Sequence, residues 1–142
     1  MENNVIGDDQ ITASDDAGNA DRARLFNNNH WERSYESGLW IGVTLSTQRY
    51  VSGIVLQGRG GSSEGGGGTA KFVISCEIEF GGLSGPLQQY DANFDGITPV
   101  IINFAQPVQT DSIKVYPTAC ESKCRVRMEI FGICEMSTTR EP

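Results

Sequence analysis

Residues 71–80, KFVISCEIEF, alternate between apolar and polar positions. Phe72, Ile74, Cys76, Ile78 and Phe80 fall on one face, and Lys71, Ser75, Glu77 and Glu79 on the other, with Val73 out of step. A period of two with one polar face predicts a half-buried strand. Residues 40–45, WIGVTL, place Ile41, Val43 and Leu45 on one face, and residues 50–57, YVSGIVLQ, follow after Ser46-Thr47-Gln48-Arg49, a connection of hairpin length. Residues 99–105, PVIINFA, form a further apolar run. Residues 112–117, SIKVYP, turn Ile113 and Val115 inward, and residues 125–131, RVRMEIF, turn Val126, Met128 and Ile130 inward and Arg125, Arg127 and Glu129 outward. No helical period runs beyond two turns. Six or more short strands with turn signals between them predict an all-β sandwich or barrel.

Two connections are long. Residues 15–39 read DDAGNADRARLFNNNHWERSYESGL, and residues 58–68 read GRGGSSEGGGG, with Gly at seven of eleven positions. Long unstructured connections in a compact domain are uncommon and tend to be functional or mobile. The glycine tract lacks the Gly-Lys-Ser/Thr ending of a phosphate-binding loop and opens no helix, so it reads as a hairpin tip.

Length and composition fit this picture. At 142 residues the chain is one domain, and 38% hydrophobic residues with 17 glycines suit short strands and many turns. Net charge is −7. Eight acids and three bases in the first 36 residues put −5 there and −2 in the rest, a balance that argues against nucleic acid and anionic lipid, since both need basic patches. No apolar run approaches the ~18 residues of a membrane span. No signal-peptide pattern opens the chain, which leaves a mature or excised piece as one reading.

The four cysteines, Cys76, Cys120, Cys124 and Cys134, allow three fully paired connectivities. Cys120 and Cys124 are close enough in sequence to close locally. Cys76 reads as a buried thiol on an apolar face, and Cys134 has no obvious local mate. Disulfides would imply an oxidising compartment. His30 is the single histidine, so neither a zinc site nor a Cys/His nucleophile is indicated. No Gly-x-Ser-x-Gly elbow occurs, no metal-ligand motif occurs, and nothing selects a carboxylate pair among the 18 acids, so the chain does not read as an enzyme. No cofactor is expected. Acidic loops offer Ca²⁺ a weak opening, without EF-hand spacing.

The order of several short segments is familiar. Met1-Glu2-Asn3, Gln10–Ser14, Ala23-Arg24-Leu25, Trp40-Ile41, Thr47–Val51, Gly53-Ile54, Gln57-Gly58-Arg59, Phe94-Asp95-Gly96, Tyr116-Pro117-Thr118, Arg127–Gly132 and Cys134 together resemble the discoidin domain, also called the coagulation-factor type C domain. The resemblance covers residues 1–134, with 135–142 left as a polar tail. It implies a jelly-roll sandwich of the galactose-binding-domain type with about eight main strands. It also implies ligand-binding loops at one end, an extracellular setting (secreted, or part of a cell-surface protein) and no catalysis. Family ligands include galactose-type sugars, phosphatidylserine membranes, collagen and peptides with a free C-terminus. Members usually carry a cysteine just before the stretch matching Met1-Glu2-Asn3 that pairs with the final cysteine, and here Cys134 lacks it. An acid is usual where Thr44 stands and a glycine where Ser46 stands. Cys120 occupies a common tryptophan position, and with Cys124 four residues on we read a private Cys120–Cys124 bridge.

The loops favour a polar ligand. Membrane binding needs apolar tips ringed by bases, whereas Asp15–Asp21 holds three acids and the glycine tract offers nothing to insert. Only Phe26 and Trp31 could serve, and Trp31 could equally pack under its own loop. Membrane lipid is therefore the less favoured partner, and a structural matrix module without a ligand is a further alternative. A sugar site needs bidentate polar groups and an aromatic face. The loop after Phe26 supplies both, with Asn28, Trp31, Tyr35 and Glu36, and Arg59 and Glu64 join from the glycine tract. A glycan or an extracellular protein is the expected partner.

Overall fold

The computed structural model describes residues 6–26, 29–59, 70–81, 87–132 and the backbone of 134–135. Its strands are β1 (Ile11–Ala13), β2 (Trp31–Arg33), β3 (Ile41–Gln57), β4 (Phe72–Phe80), β5 (Gln88–Asp91), β6 (Val100–Glu121), β7 (Cys124–Phe131) and β8 (Cys134–Glu135). Every strand pairing is antiparallel.

Two long strands organise the β-sandwich. The first part of β3 pairs with the later part of β6, Ile41 facing Val115, and its last part pairs with the start of β6, Leu56 facing Val100. Register shifts between Thr44 and Arg49 and between Val51 and Gly53 mark where β3 changes course. The four residues read as a hairpin connection, Ser46–Arg49, therefore lie within one strand, and the runs at 99–105 and 112–117 likewise belong to one β6. Around the first part of β3 stand β1, β6, β4 and β5; around its last part stand β7, with β2 at its edge, and the start of β6.

Inward positions of the alternating runs lie in the core. Ile41, Val43, Leu45, Ile54, Leu56, Ile78, Ile113, Val115, Val126, Met128 and Ile130 are all buried. Burying side chains of this size stabilises the fold by about 1.5–3 kcal/mol each. One strand departs from the expected phase. Register shifts on either side of Ser75 let Val73 turn in and Ile74 turn out, so Val73 is buried and Ile74 exposed. A bulge adds a residue to one strand and so reverses the faces around it. The alternation in KFVISCEIEF hides this, because Val73 is the only sign of the slip.

The connection 15–39 carries structure of its own. A 3-10 helix runs over Ala17–Ala23, burying Ala20 and Ala23, and β2 follows. Cys120 and Cys124 are joined by a disulfide across the turn between β6 and β7, and Cys76 is a buried free thiol. Burial pushes the Cys76 thiol up to about 12.

Candidate ligand-binding site

The end of β3 at Gln57, the end of β2 at Arg33 and the start of β7 at Cys124 meet at one end of the sandwich. There Arg33 pairs with Cys124, Glu32 with Arg125 and Gln57 with Arg127. Arg59 and Lys71 face each other in an isolated bridge just beyond, at the root of the glycine tract. Gly58 is required there, because a Cβ would lie 2.4 Å from the Lys71 carbonyl oxygen and 2.5 Å from Phe72 Cβ.

On this end Glu32 is the hub of a charged cluster. Its carboxylate binds Arg125 Nε, lies 3.7 Å from Lys123 Nζ and 3.5 Å from His30 Nε2. Arg125 also donates to the Arg59 carbonyl at 3.4 Å, and Arg127 donates to the Gly58 carbonyl at 2.8 Å. Partial burial opposes ionisation of Glu32, but the hydrogen bond and charge of Arg125 outweigh it and hold the carboxyl below its ordinary range. Burial, with the neighbouring charge of Arg125, lowers the His30 pKa. His30 Nδ1 is buried with no hydrogen-bond partner among the described residues.

The buried amide of Gln57 ties two loops to this end. Its Oε1 accepts from the Phe26 backbone N–H at 3.3 Å, and its Nε2 donates to the Ile97 carbonyl at 2.8 Å. Phe26 adopts φ +60°, a left-handed conformation uncommon for an aromatic residue, and its side chain is 63% exposed. Strain of this kind persists only where the surroundings hold it. On the second loop Asp95 accepts from the Ile97 and Thr98 N–H groups and the Thr98 hydroxyl, a turn that leaves neighbouring Phe94 69% exposed. Those hydrogen bonds lower the Asp95 pKa against the effect of burial.

The residues singled out from sequence divide. Arg59 stands beside the Glu32 cluster. Tyr35 and Glu36 are exposed on the loop leaving β2, at the same end, and their side chains make no hydrogen bond or ion pair among the described residues. Trp31 is a correction: it is fully buried, with Nε1 donating to the Asp15 carbonyl at 3.2 Å, so it offers no face to a ligand. Its neighbour across β7 is Val126, and the period of two that turns Glu32 outward turns Trp31 into the core. Asn28 and Glu64 lie outside the described residues. His30 and Glu32 belong to the same polar-aromatic loop, whereas Gln57, Phe94, Lys123 and Arg125 were not selected. Arg125 was legible as outward-facing, but its pairing with Glu32 joins residues 93 positions apart.

Two acids of the N-terminal segment are paired with arginines. Asp15 pairs with Arg33 at 2.9 Å, and Asp8 with Arg24 at 2.6 Å. Among the described residues no three His, Cys, Asp or Glu side chains converge as metal ligands.

A model of the F5/8 type C domain matches residues 10–130. The chain belongs to the F5/8 type C, or discoidin, family. As a member it is a non-catalytic binding module. A human relative, EGF-like repeat and discoidin I-like domain-containing protein 3, is 28% identical over the whole of this chain, which covers 33% of the relative. The discoidin-type chain spans about a third of the length of these curated relatives. Two solved structures share its fold. The family 32 CBM from C. perfringens NanJ, in complex with galactose, has a TM-score of 0.60 at 18% identity, covering 88% of this chain and 96% of that one. Chitosan-binding module 2 from the chitosanase/glucanase of Paenibacillus sp. IK-5, in complex with chitotriose, has a TM-score of 0.61 at 21% identity, covering 91% and 100%.

Proposed function

We propose that this discoidin domain is an extracellular attachment module that binds a glycan at the end of the sandwich formed around Glu32. The observation that carries this reading is the fixed set of hydrogen-bonding groups at Glu32, His30 and Arg125, at the end of the sandwich where Phe26, tied to Gln57, exposes its ring. Sugar recognition combines bidentate polar groups with an aromatic surface for the apolar face of the ring. Glu32 is held in place by Arg125, Lys123 and the His30 ring, so its geometry is set before any ligand arrives, which lowers the ordering cost of binding. Phe26 takes the part first given to Trp31, and Arg59, Tyr35 and Glu36 stand at the same end. The fold neighbours that hold galactose and chitotriose support a sugar over a protein ligand. The Cys120–Cys124 disulfide supports an oxidising, extracellular setting.

A glycan array probed with the intact domain, followed by titration calorimetry with galactose and chitotriose, tests this. Binding that is lost in Phe26→Ala and Arg59→Ala is the expected result. A folded domain that binds nothing on the array rejects it.

One observation favours a second reading. Phe26 and Phe94 are exposed at an end that also carries Arg59, Lys71, Lys123 and Arg125, the combination that peripheral membrane binding requires. Flotation with vesicles containing phosphatidylserine separates the two readings. Lipid-dependent flotation that Phe26→Ala and Phe94→Ala both weaken favours the membrane, and flotation absent at every phosphatidylserine content rejects it.

A further inference from the structure

The start of β6 is a sheet edge without the usual protection. Residues 100–103 pair with β3 on one side, and β4 joins β6 only from Ile113 to Glu121. Among the described strands, none lies along the other side of residues 100–105. Such an edge presents unpaired N–H and C=O groups, and proteins usually guard it with lysine or other charged side chains. Here residues 96–110 carry no charge at all, in a chain of net charge −7. Ile102 and Phe104 point into the core, while Ile101, Asn103 and Ala105 are exposed, Ile101 by 59%.

We infer that this edge pairs with the same edge of a second copy of the chain. The argument for a second copy is charge and self-complementarity. Two molecules of charge −7 repel when they meet at random, and this uncharged strip is where they can approach without bringing like charges together. An antiparallel pairing with its two-fold axis at Asn103 sets Asn103 against its own copy. A carboxamide both donates and accepts, so it can pair with itself. The same register sets Ile101 opposite Ala105 and Ile102 opposite Phe104, large against small on the outer face and apolar against apolar on the inner. The interface is isologous and closes at two copies. Pro99 and Pro107 bracket the strip and limit its length, since neither has a backbone N–H to donate. Because the paired strands run in opposite directions, the Glu32 ends of the two copies point opposite ways. That arrangement lets one dimer bridge two ligand-bearing surfaces.

Sedimentation equilibrium from micromolar to several hundred micromolar protein tests this without any ligand, so its outcome is independent of the glycan reading. The wild-type domain should rise from a mass of 15.4 kDa toward twice that value. Asn103→Asp, which places a carboxylate against its own copy, should remain monomeric at neutral pH and recover dimerisation at acidic pH. Ile101→Lys should be monomeric throughout. Ile74→Lys, on an equally outward-facing isoleucine of β4, should dimerise like the wild type. Circular dichroism checks that each variant folds, and if one edge variant does not, the other decides. A wild type that stays monomeric leaves the edge to some other extended segment and overturns the inference, as does a dimer that either folded edge variant retains.

Discussion

Glu32 shows how one side chain can join stability to a binding surface. It neutralises Arg125, whose side chain is only 13% exposed, and a largely buried guanidinium left without its carboxylate is costly. Glu32→Gln should therefore lower stability by about 1–3 kcal/mol, read as a shift of the urea midpoint at unchanged slope. The acid response follows from the two lowered pKa values. The Glu32 contribution is complete above the ordinary glutamate value of 4.5 and is lost as pH falls through its lowered folded value. Burial and the charge of Arg125 lower the His30 pKa in the fold, so stability declines once pH drops below the ordinary histidine value of 6.5. Urea midpoints measured against pH should fall in both windows, and His30→Gln should remove the decline in the upper one. Trp31 makes a separate case. Truncating this buried ring should cost about 3–5 kcal/mol, whereas Trp31→Phe, if folded, should keep glycan binding that Phe26→Ala abolishes. The opposite pattern in calorimetry would return the aromatic contact to Trp31.

At the scale of elements, the β7 strand was legible in its phase, because its period of two is unbroken, although Arg127, read as outward, is buried. The β3 and β6 strands were legible as pieces. Their polar middles read as turns, yet the chain continues there as irregular strand, since the bend carries each from one layer to the other. β2 was hidden for a different reason: three residues are too few to show a period, and Trp31 reads equally well as a loop aromatic. Ile74 was misplaced because a bulge needs only one residue and leaves the surrounding alternation intact. The β6–β7 turn is closed by Cys120–Cys124, and a loop this short limits what the bridge can contribute. Replacing both cysteines by serine should cost about 2 kcal/mol by chain entropy, with a further loss because Cys124 is fully buried. A denaturation midpoint unchanged by the double substitution would show that the bridge is not formed in the folded protein. Gly58→Ala should be destabilising for its size, because the added methyl meets the backbone of Lys71.

At the scale of the molecule, net charge proved a poor guide to local charge. The −7 total argued against any basic surface, and the acids of the first loop are indeed dense. The fold nevertheless pairs Asp8 and Asp15 with nearby arginines and gathers Arg59, Lys71, Lys123, Arg125 and Arg127 around Glu32. No count along the chain reveals that, because Arg125 and Arg127 lie on β7, Lys123 in the turn before it, and Arg59 and Lys71 in a bridge between β3 and β4, all brought together by register. What the ordered motifs did make legible was the family and its β-sandwich, one end of which carries the Glu32 cluster. The central claim is that ligand binding occurs at that end. Amide chemical shifts followed during titration with galactose and with chitotriose test it most directly. Perturbations confined to Phe26, His30, Glu32, Arg59, Lys123 and their neighbours are the predicted result; perturbations centred on the opposite end, around Tyr50 and Leu87, or none with either sugar, would contradict it.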